Sequence, residues 1–279
     1  MAQVGHTSDD SDTAHIYHQR GWMKQNQGQY TEAISFYEKA LEIYRKTLSE
    51  DHPTLAPTYN NIGAVYNNMG DYSKALEFYE KALKIREKAL PPNHPDLATS
   101  YSNIGAAYNN MGDYSKALEF YEKLLKIREN ALPPNHPDFA TSYDNIGQVY
   151  NNMGDYSKAL EFYEKAHIIY EKALPPNHPD LASSYNNIGA AYNNMGDYSK
   201  ALEFYEKSLK IRENALPSNH PDFATSYHNI GQVYDNMGDY SKALSFLEKA
   251  LAIRQKSLPS THPLIQDTKD NIDYVKKKM

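Results

Sequence analysis

Apolar positions along this chain recur with a helical period nested inside a much longer one. Between Pro95 and Met111, residues Tyr101, Ile104, Gly105 and Tyr108 fall at i, i+3, i+4 and i+7, the spacing of one helix face. Pro95 suits the first turn of a helix, where its missing N–H costs nothing, and Asp96 suits the positive helix end. Gly112 can take the left-handed conformation that stops a helix, and Asp113 can cap the next one at once. Tyr114, Ala117, Leu118, Phe120, Tyr121, Leu124, Leu125 and Ile127 then line one side of a second, longer helix. That helix must stop before "LPPNHP", whose prolines forbid continuation. The pattern predicts a helix, a very tight turn, a longer helix and a proline-rich loop.

The same unit returns along the chain. "YNNMGDYSKALEFYEK" at 66–81 recurs letter for letter at 108–123, 150–165 and 192–207, in steps of 42, and a worn copy, "YDNMGDYSKALSFLEK", follows. His-Pro pairs mark the period at His52, His94, His136, His178, His220 and His262. Neither helix alone buries its apolar stripe, but stacking each unit on the next does, so one good interface can be reused. Units beginning near 137 and 221 share "DFATSY" and "NIGQVY", which places a period of 84 over that of 42 and points to duplication of a pair of units.

The ends differ from the middle. Arg20 and Lys24 stand where the next unit has Ile62 and Tyr66. Charge there is costly against a neighbour and harmless toward water, so residues 14–27 read as the outer face of an N-terminal cap. Residues 1–13, polar and acidic, are expected to be a disordered tail. Pro263 opens one more first helix, with Lys269, Asp270, Asp273 and lysines at 276–278, a solvating C-terminal cap. The expected organisation is a single solenoid over 14–279: units of about 14–52, 53–94, 95–136, 137–178, 179–220 and 221–262, then a capping helix at 263–277, thirteen helices in all.

With Ala98 as first position, the unit shows Tyr101, Ile104, Gly105, Tyr108, Gly112, Tyr114, Ala117, Tyr121 and Leu124. This resembles the tetratricopeptide-repeat (TPR) pattern of aromatic, Leu, Gly, Tyr, Ala and aromatic positions, lengthened from the usual ~34 residues. The stretch "LKIREKALPPNHPDLATSYSNIG" is similar to the repeats of kinesin light chain and nephrocystin-like relatives. The resemblance covers about residues 14–279 and implies an all-α fold, a right-handed TPR superhelical solenoid of six helix-turn-helix units plus a capping helix.

In TPR arrays the first helices line a concave groove, and helical geometry puts the stripe of Thr99, Asn103, Ala106 and Asn110 on that side. Across units the groove is then expected to show one row of Asn61, Asn103, Asn145, Asn187 and Asn229 and a second of Asn68, Asn110, Asn152, Asn194 and Asn236. Between the rows lie Ala64, Ala106, Gln148, Ala190 and Gln232, with Trp22 at the matching offset of the first unit. Asn67, Asn109, Asn151, Asn193 and Asp235 stand on the flank. An Asn amide offers donor and acceptor together, which suits the backbone of an extended peptide whatever its side chains. The kinesin-light-chain resemblance implies the same for Asn61, Asn103, Asn145, Asn187 and Asn229, since Asn of the "NN" type there touches cargo peptide. The other reading of these amides is an inert polar coating copied by duplication. For Trp22 the alternatives are a binding anchor and a cover over the cap.

Composition narrows the chemistry. Net charge is −6, cysteine is absent and no run of basic residues occurs, which argues against nucleic acid, disulfides and Cys-based zinc. No apolar stretch approaches the ~20 residues a membrane span needs, and a cytoplasmic monomer is expected. The groove has almost no Lys or Arg, so a carboxylate clamp does not transfer, and a neutral to mildly basic partner is expected. The His-Pro histidines read as turn residues and His167 as a packing change. No phosphate loop, HExxH or nucleophile elbow is present. The expected protein is therefore a non-enzymatic scaffold, with no cofactor and no metal, that binds an extended protein or peptide segment. The alternatives are a spacer or assembly element using its end or convex faces, or a TPR module of a larger enzyme.

Overall fold

A computed structural model describes residues 4–217 and 220–279, with side chains from Asp10 onward. Thirteen helices occur among the described residues, and no strand. The chain divides into two compact units, up to Pro134 and from Asn135, each of which is a stack of helical hairpins. In the first, α1 (Val4–Asn26) pairs with α2 (Tyr30–Thr47), α3 (Leu55–Asn68) with α4 (Tyr72–Ala89), and α5 (Pro95–Met111) with α6 (Tyr114–Ala131). In the second, α7 (Pro137–Met153) pairs with α8 (Tyr156–Ala173), α9 (Pro179–Asn194) with α10 (Tyr198–Ala215), and α11 (Pro221–Asn236) with α12 (Tyr240–Ser257). The last helix, α13 (Pro263–Lys278), packs on α12. Residues 4–13, expected as a tail, instead continue α1. Once the packed part of a helix is nucleated, each added residue gains a backbone hydrogen bond, and a polar composition does not forbid that.

Each hairpin is set by local chemistry. Gly112 ends α5 at φ 83°, with its N–H on the Asn109 carbonyl at 3.1 Å and the Asp113 N–H on the Tyr108 carbonyl at 3.0 Å. Asp113 then caps α6 by accepting from the Lys116 N–H at 3.3 Å, so a turn of two residues joins the helices. The start of each first helix uses a cap not expected from the sequence. His94, His136, His178, His220 and His262 each accept, through ring Nδ1, the backbone N–H two residues on, at 3.1–3.3 Å. These rings need an unprotonated Nδ1 to do so.

Within each hairpin the two helices approach closely at a glycine of the first. A Cβ on Gly147 would lie 2.7 Å from the Tyr163 ring and 3.2 Å from the Ala159 carbonyl; Gly63, Gly105 and Gly189 meet Tyr79, Tyr121 and Tyr205 in the same way. Two of these rings also pack on the following hairpin of the second unit. Tyr163 clusters with Ile188 and Ala191 of α9, and Tyr205 with Ile230 and Val233 of α11. In the first unit, Tyr37, Leu41, Tyr44, Leu55, Ile62 and Val65 form one continuous core across α2 and α3. At the end of the array Asp273 stands where the other hairpins have this glycine.

An arginine ties α4 to α5, α10 to α11 and α12 to α13. Arg86 donates to the Ser100 hydroxyl at 2.7 Å and the Asp96 carbonyl at 3.3 Å. Arg212 repeats this with Ser226 and Asp222, and Arg254 with Thr268 and Leu264. In the α7–α8 hairpin Tyr170 takes that place, and the Ser184 hydroxyl is met instead by His167 Nδ1 at 2.8 Å.

Alanine in a helix interior gains about 1 kcal/mol over glycine from propensity. Gly147→Ala is nevertheless expected to lower stability, by roughly 1–3 kcal/mol, because an aromatic ring and a backbone carbonyl both block its methyl. Gly231→Ala, which meets the Leu247 side chain at 3.0 Å rather than a ring, should cost least of the set. Urea midpoints of the two variants measured side by side check the order.

Candidate functional site

Packed first helices lie side by side: α1 meets α3, α3 meets α5, and α9 meets α11. Identical sequences on neighbouring helices place identical side chains next to one another, and the asparagine doublets join across the gap. Asn103 Nδ2 donates to Asn60 Oδ1 at 2.8 Å, and Asn110 Nδ2 to Asn67 Oδ1 at 3.3 Å. In the second unit, Asn229 donates to Asn186 at 2.8 Å, Asn194 to Asn151 at 3.0 Å, and Asn236 to Asn193 at 3.1 Å. Every rung spans 43 residues, one repeat of 42 plus one, so the second amide of a doublet meets the first amide of the previous copy.

The predicted residues separate into two kinds. Asn61, Asn103, Asn145, Asn187 and Asn229 are half-buried. Asn61 Nδ2 lies 3.3 Å from His18 Nε2, and Asn187 Nδ2 donates to Asp144 Oδ1 at 3.4 Å. Asn68, Asn110, Asn152, Asn194 and Asn236 are exposed, as are Gln148 and Gln232; Gln148 donates to Asn152 Oδ1 at 2.9 Å. Trp22 is 56% exposed. Next to the exposed amides, and not singled out from the sequence, stand Met69, Met111, Met153, Met195 and Met237, each 45–48% exposed.

The repeat position that supplies the acceptors His18, Asn60, Asp144 and Asn186 varies from copy to copy, with Ser102 and His228 at the equivalent places. Asp144 is the unusual member. It faces Tyr170, where four of the other hairpins have arginine and the first has Tyr44, together with Asn187 and the carboxylate of Asp180. Burial pushes its carboxyl up to about 6, against the opposing hydrogen bonds of Asn187 and Tyr170, and Asp180 adds to the rise. Burial and then the Arg254 charge hold His228 below the ordinary histidine range, while Asp267 pulls the other way. Burial likewise lowers His18.

Among the described residues no group of three or more His, Cys, Asp or Glu side chains converges on a common point. No helix among them is long and apolar enough to cross a membrane.

Stacked helical hairpins with a repeated tight turn and a repeated polar face define a helical-repeat protein, the fold class of protein-interaction scaffolds. The chain belongs to the tetratricopeptide-repeat family, whose model matches residues 12–88, 54–130, 138–214 and 180–256. Among solved structures it is similar to a repeat protein of Podosopora anserina described as a kinesin light chain with nearly identical TPR-like repeats. Identity is 26% and the TM-score 0.64, covering 74% of this chain and 96% of that one. BtubC (BKLC) from P. vanneervenii shares the fold at 23% identity and TM-score 0.64, over 94% of each chain. A Rap protein complexed with competence and sporulation factor shares it at 17% identity and TM-score 0.64, over 95% of this chain and 75% of that one. No curated protein matches the sequence.

Asp144 also yields a pH test. Its folded value of about 6 lies above its ordinary 3.8. The stability it contributes is therefore fully present below the lower value and lost as pH rises through the upper one. Asp144→Asn is expected to stabilise the protein at pH 7–8 by roughly 3 kcal/mol at most. The gain should shrink to nothing near pH 4. Melting temperatures of parent and variant across that range check the sign.

Proposed function

We propose that the first-helix face of each unit holds an extended peptide segment by its backbone. The observation that carries this reading is the amide rung. One N–H of Asn110, Asn194 and Asn236 is already spent on a neighbouring helix, so each amide is held in one direction before any ligand arrives. Binding then costs less side-chain entropy than with free amides. Packed helices lie roughly 10 Å apart and an extended chain rises ~3.3 Å per residue, so about three peptide residues pass each repeat. The exposed methionines beside the amides offer adaptable apolar contacts to the ligand's side chains. The same face presents few cations, which favours a neutral to mildly basic segment over one held by its carboxylate.

A second reading rests on the outer surface of α1. Ile16 and Met23 are 49% and 54% exposed, at positions equivalent to the buried Thr58 and Val65. That surface is where an end-on partner of a spacer or assembly element would sit.

The two readings separate in one experiment. A displayed library of extended peptides is selected on the full chain, and the best binder is measured against variants. Asn194→Ala with Asn236→Ala should weaken it by about tenfold, two lost hydrogen bonds of ~1 kcal/mol each less any water compensation. Helicity should stay unchanged. Ile16→Ser with Met23→Ser should leave binding intact. The reverse outcome would place the interaction at the end of the array.

A further inference from the structure

The last rung of the second unit breaks the repeat on both sides at once. Its acceptor is Asp235, where earlier copies have Asn67, Asn109, Asn151 and Asn193. Its donor is Lys278, which stands 42 residues after Asn236, in the place of the exposed amide. Lys278 Nζ lies 3.1 Å from Asp235 Oδ1 and 3.4 Å from Oδ2. It also sits 4.1 Å from the centre of the Tyr274 ring and 5.4 Å from that of Tyr240. A carboxylate below and two aromatic faces beside it form the surroundings that an ammonium prefers. The Asp235 carboxylate is only 17% exposed, and the cluster opens onto a shallow cavity of about 520 Å³ lined by Met237, Asp239, Tyr240 and Ser241.

We propose that Asp235, Tyr240 and Tyr274 form a lysine-ammonium site at the end of the amide ladder, filled by Lys278 in the free protein and by a lysine of the bound segment when ligand is present. The inference rests on the proposed course of the peptide along the first helices and adds a side-chain preference to it. It gives the ladder a direction, because Lys278 on Asp235 is the one described rung with an ammonium donor, whereas the others donate from an amide to an amide, an imidazole or a carboxylate. Lys278 is held there by its side chain, so a change of side-chain rotamer alone can vacate the site. The site then acts as a built-in competitor: a segment lacking lysine gains nothing by displacing it.

The test titrates two capped peptides, Ac-TTTKTTT-NH2 and Ac-TTTQTTT-NH2, into the full chain and into Lys278→Ala, Asp235→Asn and the double variant, by calorimetry. Asp235→Asn restores the amide found at the equivalent positions, so the fold is kept. Removing the Lys278 ammonium is expected to tighten the lysine peptide by about tenfold and leave the glutamine peptide unchanged. Asp235→Asn is expected to abolish the preference in either background. If Lys278→Ala binds both peptides equally, the lysine site is wrong and the backbone-binding face stands. If neither peptide binds any variant, N-acetyl-lysine methylamide is titrated alone while the Tyr274 ring resonances are followed. Saturation that depends on Asp235 then upholds the site and removes the peptide-binding face; no saturation overturns both.

Discussion

In every hairpin except α11–α12, which uses Leu247, a tyrosine ring of the second helix packs on a glycine of the first and holds the two together. Tyr163 presses one face against Gly147 of its own first helix and turns the other toward Ile188 of the next hairpin. Neither surface is buried without both neighbours, so a hairpin is incomplete until the following one arrives. Glycine lets the two helices of a hairpin come close enough for the ring to fill the gap, and the ring leaves no slack for them to slide. Everything regular about the polar face follows from that. Neighbouring first helices are brought side by side in fixed register, and equal positions on them become neighbours in space.

The amide rungs are a consequence of that register and a support for it. A half-buried Asn103 beside Asn60 satisfies polar groups that would otherwise be costly near the interface. The buried Arg212 does similar work at the opposite end of the helices, joining the Asp222 carbonyl and the Ser226 hydroxyl. Where the chain departs from its own pattern, it does so in groups. Asp144 comes with Tyr170 in place of arginine and with His167 taking over Ser184, while His228 keeps Arg254 at 3.5 Å. Asp235 comes with Lys278. Paired departures in otherwise copied sequence mark places where one side chain answers another.

The helices and the tight turns were legible from the chain because each is a local matter: a period of 3.6, a left-handed glycine, an Asp cap. The histidine caps were missed because Pro95 already accounted for the start of the helix and left no visible need for His94 to bond. Helical geometry showed which face Asn103 and Asn110 occupy, yet not that they meet a partner, since that depends on the approach of two helices. The signal was present in the doublet "NN" read against a repeat of 42, which puts unlike members of successive pairs in contact. The lone carboxyl of Asp144 was illegible for a similar reason: its missing cation is Tyr170, a full helix away in sequence. The start of α1 at Val4 shows the limit of composition, which speaks to burial rather than to helix length.

The central claim is that exposed amides on this face are held in place before a ligand binds. Side-chain amide relaxation in the free protein measures it directly. The account predicts order parameters near the ~0.85 of rigid backbone for the side-chain NH2 groups of Asn110, Asn194 and Asn236. Values below ~0.6 at those three groups, as for a freely rotating surface amide, would contradict it.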